Sequence, residues 1–284
     1  MTERHSPESA ASWDEVADGW ARRRGLVWRT SRGLSERLLE LLDPQQGDTV
    51  LELAAGPGDT GFLAAERIEP GGLLLSTDVA QQMLVAAEAR AAELGVTNAE
   101  FRVMDAQALD LPDASVDGVV CRWGYMLVED PARALAETRR VLRPGGRVAF
   151  AVWASADENP WASAMGRVLL GHGLVERPEP DAPGPFRLAE RERLEALVAE
   201  AELELLALED IALTWRYQSF DEYWEVSSDL SRTLAVALDG LDDPGIAAVR
   251  NDVRSALAQY ETAHGLAIPG LARAVSAQRA QELR

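Results

Sequence analysis

The chain has 284 residues, is 47% hydrophobic and carries a formal net charge of −19. That allows one enlarged domain or two small ones, and it argues against nucleic acid or an anionic membrane as a partner. All 28 basic residues are arginine, so a Walker-type phosphate loop, a pyridoxal Schiff base and the Tyr-x-x-x-Lys pair of short-chain dehydrogenases are excluded.

One cysteine, Cys121, leaves no intrachain disulfide or thiolate metal cluster. No apolar run approaches the roughly 20 residues of a membrane span, and residues 1–11 lack the pattern of a secretory leader. A cytoplasmic location, a small neutral or aromatic substrate and no metal are the expectations.

In chain order, residues 1–10 read as a loose tail that contains His5. Ser12 and Glu15 form a capping box for a first helix with Trp13, Val16, Ala17 and Trp20 on one face. A second helix is predicted over residues 33–42, stopped by Asp43-Pro44. Trp13 and Trp20 either close over a ligand or pack on the body.

Next come Val50, Leu51 and Leu53, a short apolar run interrupted by Glu52, which reads as a buried parallel strand. Gly56, Gly58 and Gly61 follow with G-x-G-x-x-G spacing, and a helix capped by Asp59 or Thr60 is predicted after them. Such a loop presents backbone N–H groups to a ligand, although nicotinamide and flavin enzymes share it.

A second strand over residues 73–77 ends at Asp78, about 20 residues past the loop. There a carboxylate either accepts from a ribose diol or caps the helix predicted over residues 80–94. A third strand over 99–103 leads to Asp105-Ala106, and a fourth over 116–121 leads to Arg122, Trp123 and Tyr125. Asp130-Pro131 opens a helix, Pro144-Gly145 makes a type II turn and residues 147–153 form strand five. This alternation predicts an α/β, doubly wound, mostly parallel sheet, with Glu52, Asp78, Asp105 and Arg122 at or near one crevice.

Three stretches carry a resemblance: Val-Leu-Glu-Leu-Ala-Ala-Gly-Pro-Gly at 50–58, Thr-Asp-Val-Ala-Gln-Gln-Met-Leu at 77–84, and Arg-Val-Leu-Arg-Pro-Gly-Gly-Arg at 140–147. Over roughly residues 45–155 the chain resembles the class I S-adenosylmethionine-dependent methyltransferases, specifically the ubiquinone/menaquinone-biosynthesis methyltransferase-like group. The resemblance implies a seven-stranded Rossmann-like sheet, with N-terminal helices and helical insertions near the C-terminus. It also implies S-adenosyl-L-methionine as cofactor. Gly56 and Gly58 would pass under its methionine part, while Glu52 would hold its amino group or support the turn. Asp78 would take the ribose, Val79 and Met83 the adenine face, and Asp105 with Ala106 the adenine amino group. Arg122 would line the methionine end through its backbone. Trp20 belongs to the same cofactor set, as does Ala54, where many relatives have glycine.

Residues 1–44 are then expected to form a helical lid on a single domain of 45–284, with substrate-pocket insertions near 154–187 and 218–264. Helices are predicted at 160–170, 188–201, 220–238 and 244–263, and strands at 203–217 and 266–277, the last antiparallel. Trp13, Trp123, Tyr125, Trp161 and His172 are the candidate pocket residues. Trp161, Phe186, Trp215, Tyr217, Tyr223 and Trp224 are either an aromatic wall or core.

Methyl transfer is an in-line displacement at carbon on a cationic sulfur, for which alignment and dryness are the main requirements. His172 is the candidate general base, with a surface turn as its competing reading; Tyr125, the other catalytic candidate, reads with Trp123 as a wall more than as acid or base, and His264 reads as a helix-end residue. The alternatives are an NAD(P)-dependent oxidoreductase and a non-catalytic cofactor-binding protein.

Overall fold

The computed structural model describes residues 7–179 and 181–281; His5 and Pro180 lie outside them. A long helix, α1 (Pro7–Leu42), precedes β1 (Thr49–Leu53), α2 (Asp59–Ile68), β2 (Leu73–Asp78), α3 (Gln81–Leu94), β3 (Ala99–Val103) and β4 (Val116–Arg122). Then come α4 (Pro131–Val141), β5 (Leu142–Trp153), α5 (Pro160–Gly171), α6 (Arg191–Glu200) and β6 (Leu203–Tyr217). The chain closes with α7 (Phe220–Leu230), α8 (Arg232–Asp239), α9 (Asp243–Leu257), a two-residue β7 (Glu261–Thr262) and β8 (Gly265–Arg279).

The sheet order is β3-β2-β1-β4-β5-β8-β6, with β7 attached to β8. Strands β1 to β5 run parallel and β8 is antiparallel to both its neighbours. The seven long strands and the doubly wound α/β class agree with the sequence reading; β7 adds a short hairpin.

Three expectations are corrected. Residues 1–6 lie outside the described residues, and residues 7–42 form one helix of 36 residues in place of the two predicted helices and of the part of the expected tail from Pro7 on. No proline interrupts it, and Leu26, Val27, Leu34, Leu38, Leu39 and Leu42 give it a buried stripe that carries it past its glycines. Secondly, α2 has no side-chain cap, because Gly58 occupies the cap position with φ 86. Thirdly, the predicted helix over 220–238 divides at Ser231, whose hydroxyl caps α8 by accepting from the Leu234 N–H. Residues 143–146 are a bulge of β5, and Gly145 at φ 83 takes the left-handed position expected of the turn.

Strand order reverses between β1 and β4, so the crevice opens over their C-terminal ends. Buried Val50, Leu51, Leu53, Val119, Val120, Phe150 and Val152 pack the sheet beneath it. The N-terminal part of α1 crosses this edge, where Ala17 packs with Ala80 and Met83 and the Asp14 carboxylate accepts from the Gln82 N–H.

Candidate functional site

The β1–α2 loop is a run of left-handed backbone: Ala54 at φ 52, Gly56 at φ 53 and Gly58 at φ 86. Glycine takes that conformation without penalty; Ala54 adopts it against its Cβ, at a cost of about 1 kcal/mol. A Cβ on Gly56 would meet nothing within 4 Å, so the backbone there borders open space. A Cβ on Gly58 would lie 2.5 Å from the Phe62 ring, so packing beneath the loop requires that glycine as well.

Asp78, at the end of β2, accepts from the Gly56 N–H at 2.9 Å and from the Ala80 N–H at 2.9 Å. It therefore ties the glycine loop to the start of α3, and burial raises its pKa against the pull of these N–H groups. The Val79 N–H adds a third backbone donor to the same carboxylate. Asp105, past β3, is fixed by the Gln107 backbone N–H at 2.9 Å and the Gln107 side-chain amide. Ala106 and Val79 are half-buried beside these acids, and Met83 is buried with Ala80 under Trp13 and Trp20. The two indoles meet edge to face at 6.3 Å.

Glu52 takes the second of its two expected roles. Its Oε1 accepts from the Gly61 N–H at 2.6 Å and its Oε2 accepts from the Ser76 hydroxyl at 2.8 Å, beneath the loop and away from the crevice. Burial pushes its pKa up to about 8. Gly61 is required here, since a Cβ would collide with that carboxylate.

At the opposite lip, Arg122 ends β4. Its Nε donates to the Thr60 hydroxyl at 2.9 Å, and Thr60 in turn meets Ser35 of α1 at 2.9 Å. Its guanidinium lies 4.5 Å from the Trp123 ring centroid. Trp123 is buried and adopts φ 68, an unusual conformation for a bulky residue.

From Trp123 an aromatic wall extends along the sheet edge. Trp123 stacks on Trp153 at 4.3 Å, Trp153 meets Trp161 at 4.9 Å, and Trp161 stacks on Trp215 at 4.6 Å. Tyr217 and Tyr223 continue it in an edge-to-face pair. Trp215, Tyr217 and Tyr223 are buried core, whereas Trp161 is partly exposed. The sequence reading missed Trp153; its position as the last residue of strand five was the available signal.

Both catalytic candidates are engaged by protein partners. Tyr125 is fully enclosed, its hydroxyl bonded to Thr138 Oγ1 at 2.5 Å and its ring edge to face with Phe150, and burial holds its pKa well above the usual tyrosine range. Tyr125 is thus core, neither wall nor base. His172 caps the C-terminal end of α5, and its Nε2 pairs with Asp252 of α9 at 2.8 Å. The 12-residue α5 begins beside Trp161 at the sheet edge. His172 at its far end is exposed to solvent. His264 lies in the exposed turn between β7 and β8, past the end of α9.

The donor set fits a nucleoside carrying a charged tail: acceptors at the β2 and β3 ends, left-handed glycine backbone at β1 and a cation at β4. No helix among the described residues is long and apolar enough to cross a membrane. A family model described as "Methyltransferase domain" matches residues 50–146. A methyltransferase of Mycobacterium tuberculosis (strain ATCC 25618 / H37Rv) is 33% identical over 180 residues, covering 62% of this chain and 70% of that protein. Nocamycin O-methyltransferase of Saccharothrix syringae is 37% identical over 117 residues, covering 41% of this chain and 42% of its own length. A ubiquinone/menaquinone biosynthesis C-methyltransferase of Acidiphilium cryptum is 43% identical over 110 residues, covering 38% and 43%. These last two matches thus span less than half of each relative's length. The solved structure of geranyl diphosphate methyltransferase in complex with SAM superposes with a TM-score of 0.53 at 19% identity, covering 92% of this chain and 90% of that one, and shows the shared fold.

Proposed function

The chain belongs to the class I S-adenosylmethionine-dependent methyltransferases, and from that membership we propose that it methylates a small organic acceptor, working mainly by positioning and exclusion of water. Membership favours S-adenosylmethionine over a dinucleotide. When bound, that cofactor supplies an electrophilic methyl group on a cationic sulfur. Relatives named for nocamycin and geranyl diphosphate support a small-molecule acceptor. The cytoplasm, and a step in biosynthesis, are the setting this reading assigns.

The observation that carries it is the Asp78 carboxylate, bonded to Gly56 at the edge of open space, with Asp105 following the neighbouring strand β3. Asp78 would accept from the ribose hydroxyls and Asp105 from the adenine amino group. Val79 and Met83 would flank the base, with Trp13 and Trp20 of α1 closing over it. Gly56 and Gly58 let the tail lie against backbone. Trp123, Trp153 and Trp161 would wall the acceptor. Burial of Trp123 and Trp153 keeps the methyl path dry, which favours loss of the sulfur charge along the reaction. With Tyr125 enclosed and His172 paired with Asp252, alignment is the main source of rate in this reading.

Asp78→Ala tests the assignment. Losing a charged acceptor of two hydroxyls is expected to weaken S-adenosylmethionine binding about 10- to 100-fold, measured by titration calorimetry with the fold checked by circular dichroism. Unchanged affinity in a folded variant removes the ribose assignment. Labelled cofactor incubated with cell extract, scored for transferred methyl, tests the activity itself.

A further inference from the structure

The first half of α1 is fastened on two sides. Its consecutive arginines Arg22, Arg23 and Arg24 point around the helix at about 100° per residue and so reach different neighbours. Arg22 Nη2 donates to Asp229 Oδ1 at 2.7 Å, and Arg23 Nε donates to Asp229 Oδ2 at 2.5 Å. Arg23 also reaches Glu225, one turn earlier on α7, at 3.3 Å. Arg24 turns the other way, toward Glu93 of α3 at 3.7 Å. Nearer the N-terminus the Asp14 carboxylate accepts from the Gln82 N–H of α3, and Glu15 pairs with Arg232 of α8. Helix α1 therefore bridges α3, which carries Met83, to α7 and α8.

Asp229 is out of place by the rules of its own helix. It lies in the last turn of α7, where a carboxylate opposes the helix dipole, and no basic residue of that turn offsets it. The arginines of α1 supply the missing cations. Both oxygens are taken, and the Asp229 side chain is 20% exposed against 26% for Arg23, so this pair is screened less than an open surface one. Backbone packing adds to the seat, since a Cβ on Gly19 would collide with the Asp229 carbonyl. Helix α7 is in turn tied to the aromatic wall, because the Tyr223 hydroxyl donates to the Trp161 carbonyl at 2.9 Å. A line of direct contacts thus runs from Met83 and the indoles of Trp13 and Trp20, along α1, through Asp229 to α7 and Trp161.

We propose that Asp229 is a positioning residue that couples the cofactor half of the site to the acceptor half: it seats α1 over the cofactor from the α7 side, and a bound cofactor in turn seats α7 and the wall that α7 holds. This rests on the cofactor reading above and deepens it. A bound nucleoside adds apolar contact beneath Trp13 and Trp20, which favours the closed position of α1. By linkage, whatever holds α1 closed favours the nucleoside to the same degree. Asp229 acts through α1 alone.

The test is hydrogen exchange read by mass spectrometry on the full chain, with and without S-adenosylhomocysteine, alongside calorimetry with the same ligand. In wild type the ligand is expected to slow exchange in α3, in residues 7–24 and also in α7. Asp229→Asn is expected to keep the slowing in α3, to lose it in α7 and to bind the ligand about 3- to 10-fold more weakly, the value of two partly exposed ion pairs. Arg22→Gln combined with Arg23→Gln is expected to reproduce both effects. Adding Asp229→Asn to that pair is expected to cost nothing further, because the three side chains form one contact. Slowing in wild type that stops at α1 overturns the proposal. A folded Asp229→Asn with unchanged affinity, or with α7 slowed as in wild type, overturns it too, as do additive losses in the combined variant. If Asp229→Asn does not fold, the two arginine substitutions carry the same comparison. Wild type that does not bind S-adenosylhomocysteine sinks the cofactor reading and this proposal with it, whereas binding that slows α3 but not α7 removes the coupling alone.

Discussion

Glu52 sits beneath the glycine loop with both oxygens taken by protein donors, and burial pushes its pKa up to about 8. Between the ordinary carboxyl range and about 8 the native state holds a proton that the unfolded chain has released. Stability is therefore fully present at low pH and is lost as pH rises through that window, by at most about 1.4 kcal/mol per unit. Glu52→Gln keeps an acceptor for Gly61 and removes the titration. Its unfolding free energy in urea is expected to fall less steeply between pH 5 and 8 than that of wild type; equal slopes would mean that Glu52 is already ionised in the native state. At this scale the sequence was readable for a residue's place at a strand end, as for Asp78 and Asp105. It was not readable for Tyr125, because which way a side chain points from the short turn after β4 is fixed by Thr138 and Phe150, both distant in sequence. The same limit hid the Arg122 side chain, whose partner Thr60 is 62 residues away.

Helix α1 shows the same division between local and tertiary signals. Strand limits at β3 and β6 follow from apolar patterning bounded by turns. The single long helix does not, because Gly19, Gly25 and Gly33 lower its propensity and only packing offsets them. Gly19 is buried against α7, and a Cβ there would collide with the backbone carbonyl of Asp229, whose side chain also receives Arg22 and Arg23. Gly25 faces solvent, and an added Cβ would meet only the tip of Arg29 at 3.6 Å. The two glycines should thus respond in opposite senses. Gly19→Ala is expected to destabilise by about 1–3 kcal/mol through overpacking, and Gly25→Ala to stabilise by about 0.5–1 kcal/mol through helix propensity, both read from urea midpoints. Equal effects would mean that α1 does not rest on α7 at Gly19.

Over the whole molecule, α1 joins two regions that the sequence assigned to separate units. Its first half reaches the crevice at Ala80 and Met83, as a lid would. Its second half inserts Leu34, Leu38, Leu39 and Leu42 into the same core as β1, β4 and β5, each almost wholly buried. Residues 1–44 are therefore expected to contain a part the fold can lose and a part it cannot. Exposing four core leucines costs about 8 kcal/mol or more, comparable to the roughly 5–15 kcal/mol that holds a domain folded. A chain starting at residue 45 is expected to lose cooperative unfolding. A chain starting at residue 25 leaves those leucines in place and removes Trp13, Trp20 and the Asp14 contact to α3. It is expected to fold, with a cooperative thermal transition, and to bind S-adenosylmethionine at least about tenfold more weakly, since adenine would lose its cover of buried apolar area. Full affinity in the chain from residue 25 would show that the helix closes over nothing. Cooperative folding of the chain from residue 45 would show that the core ends at β1, with α1 resting on it as a separate layer.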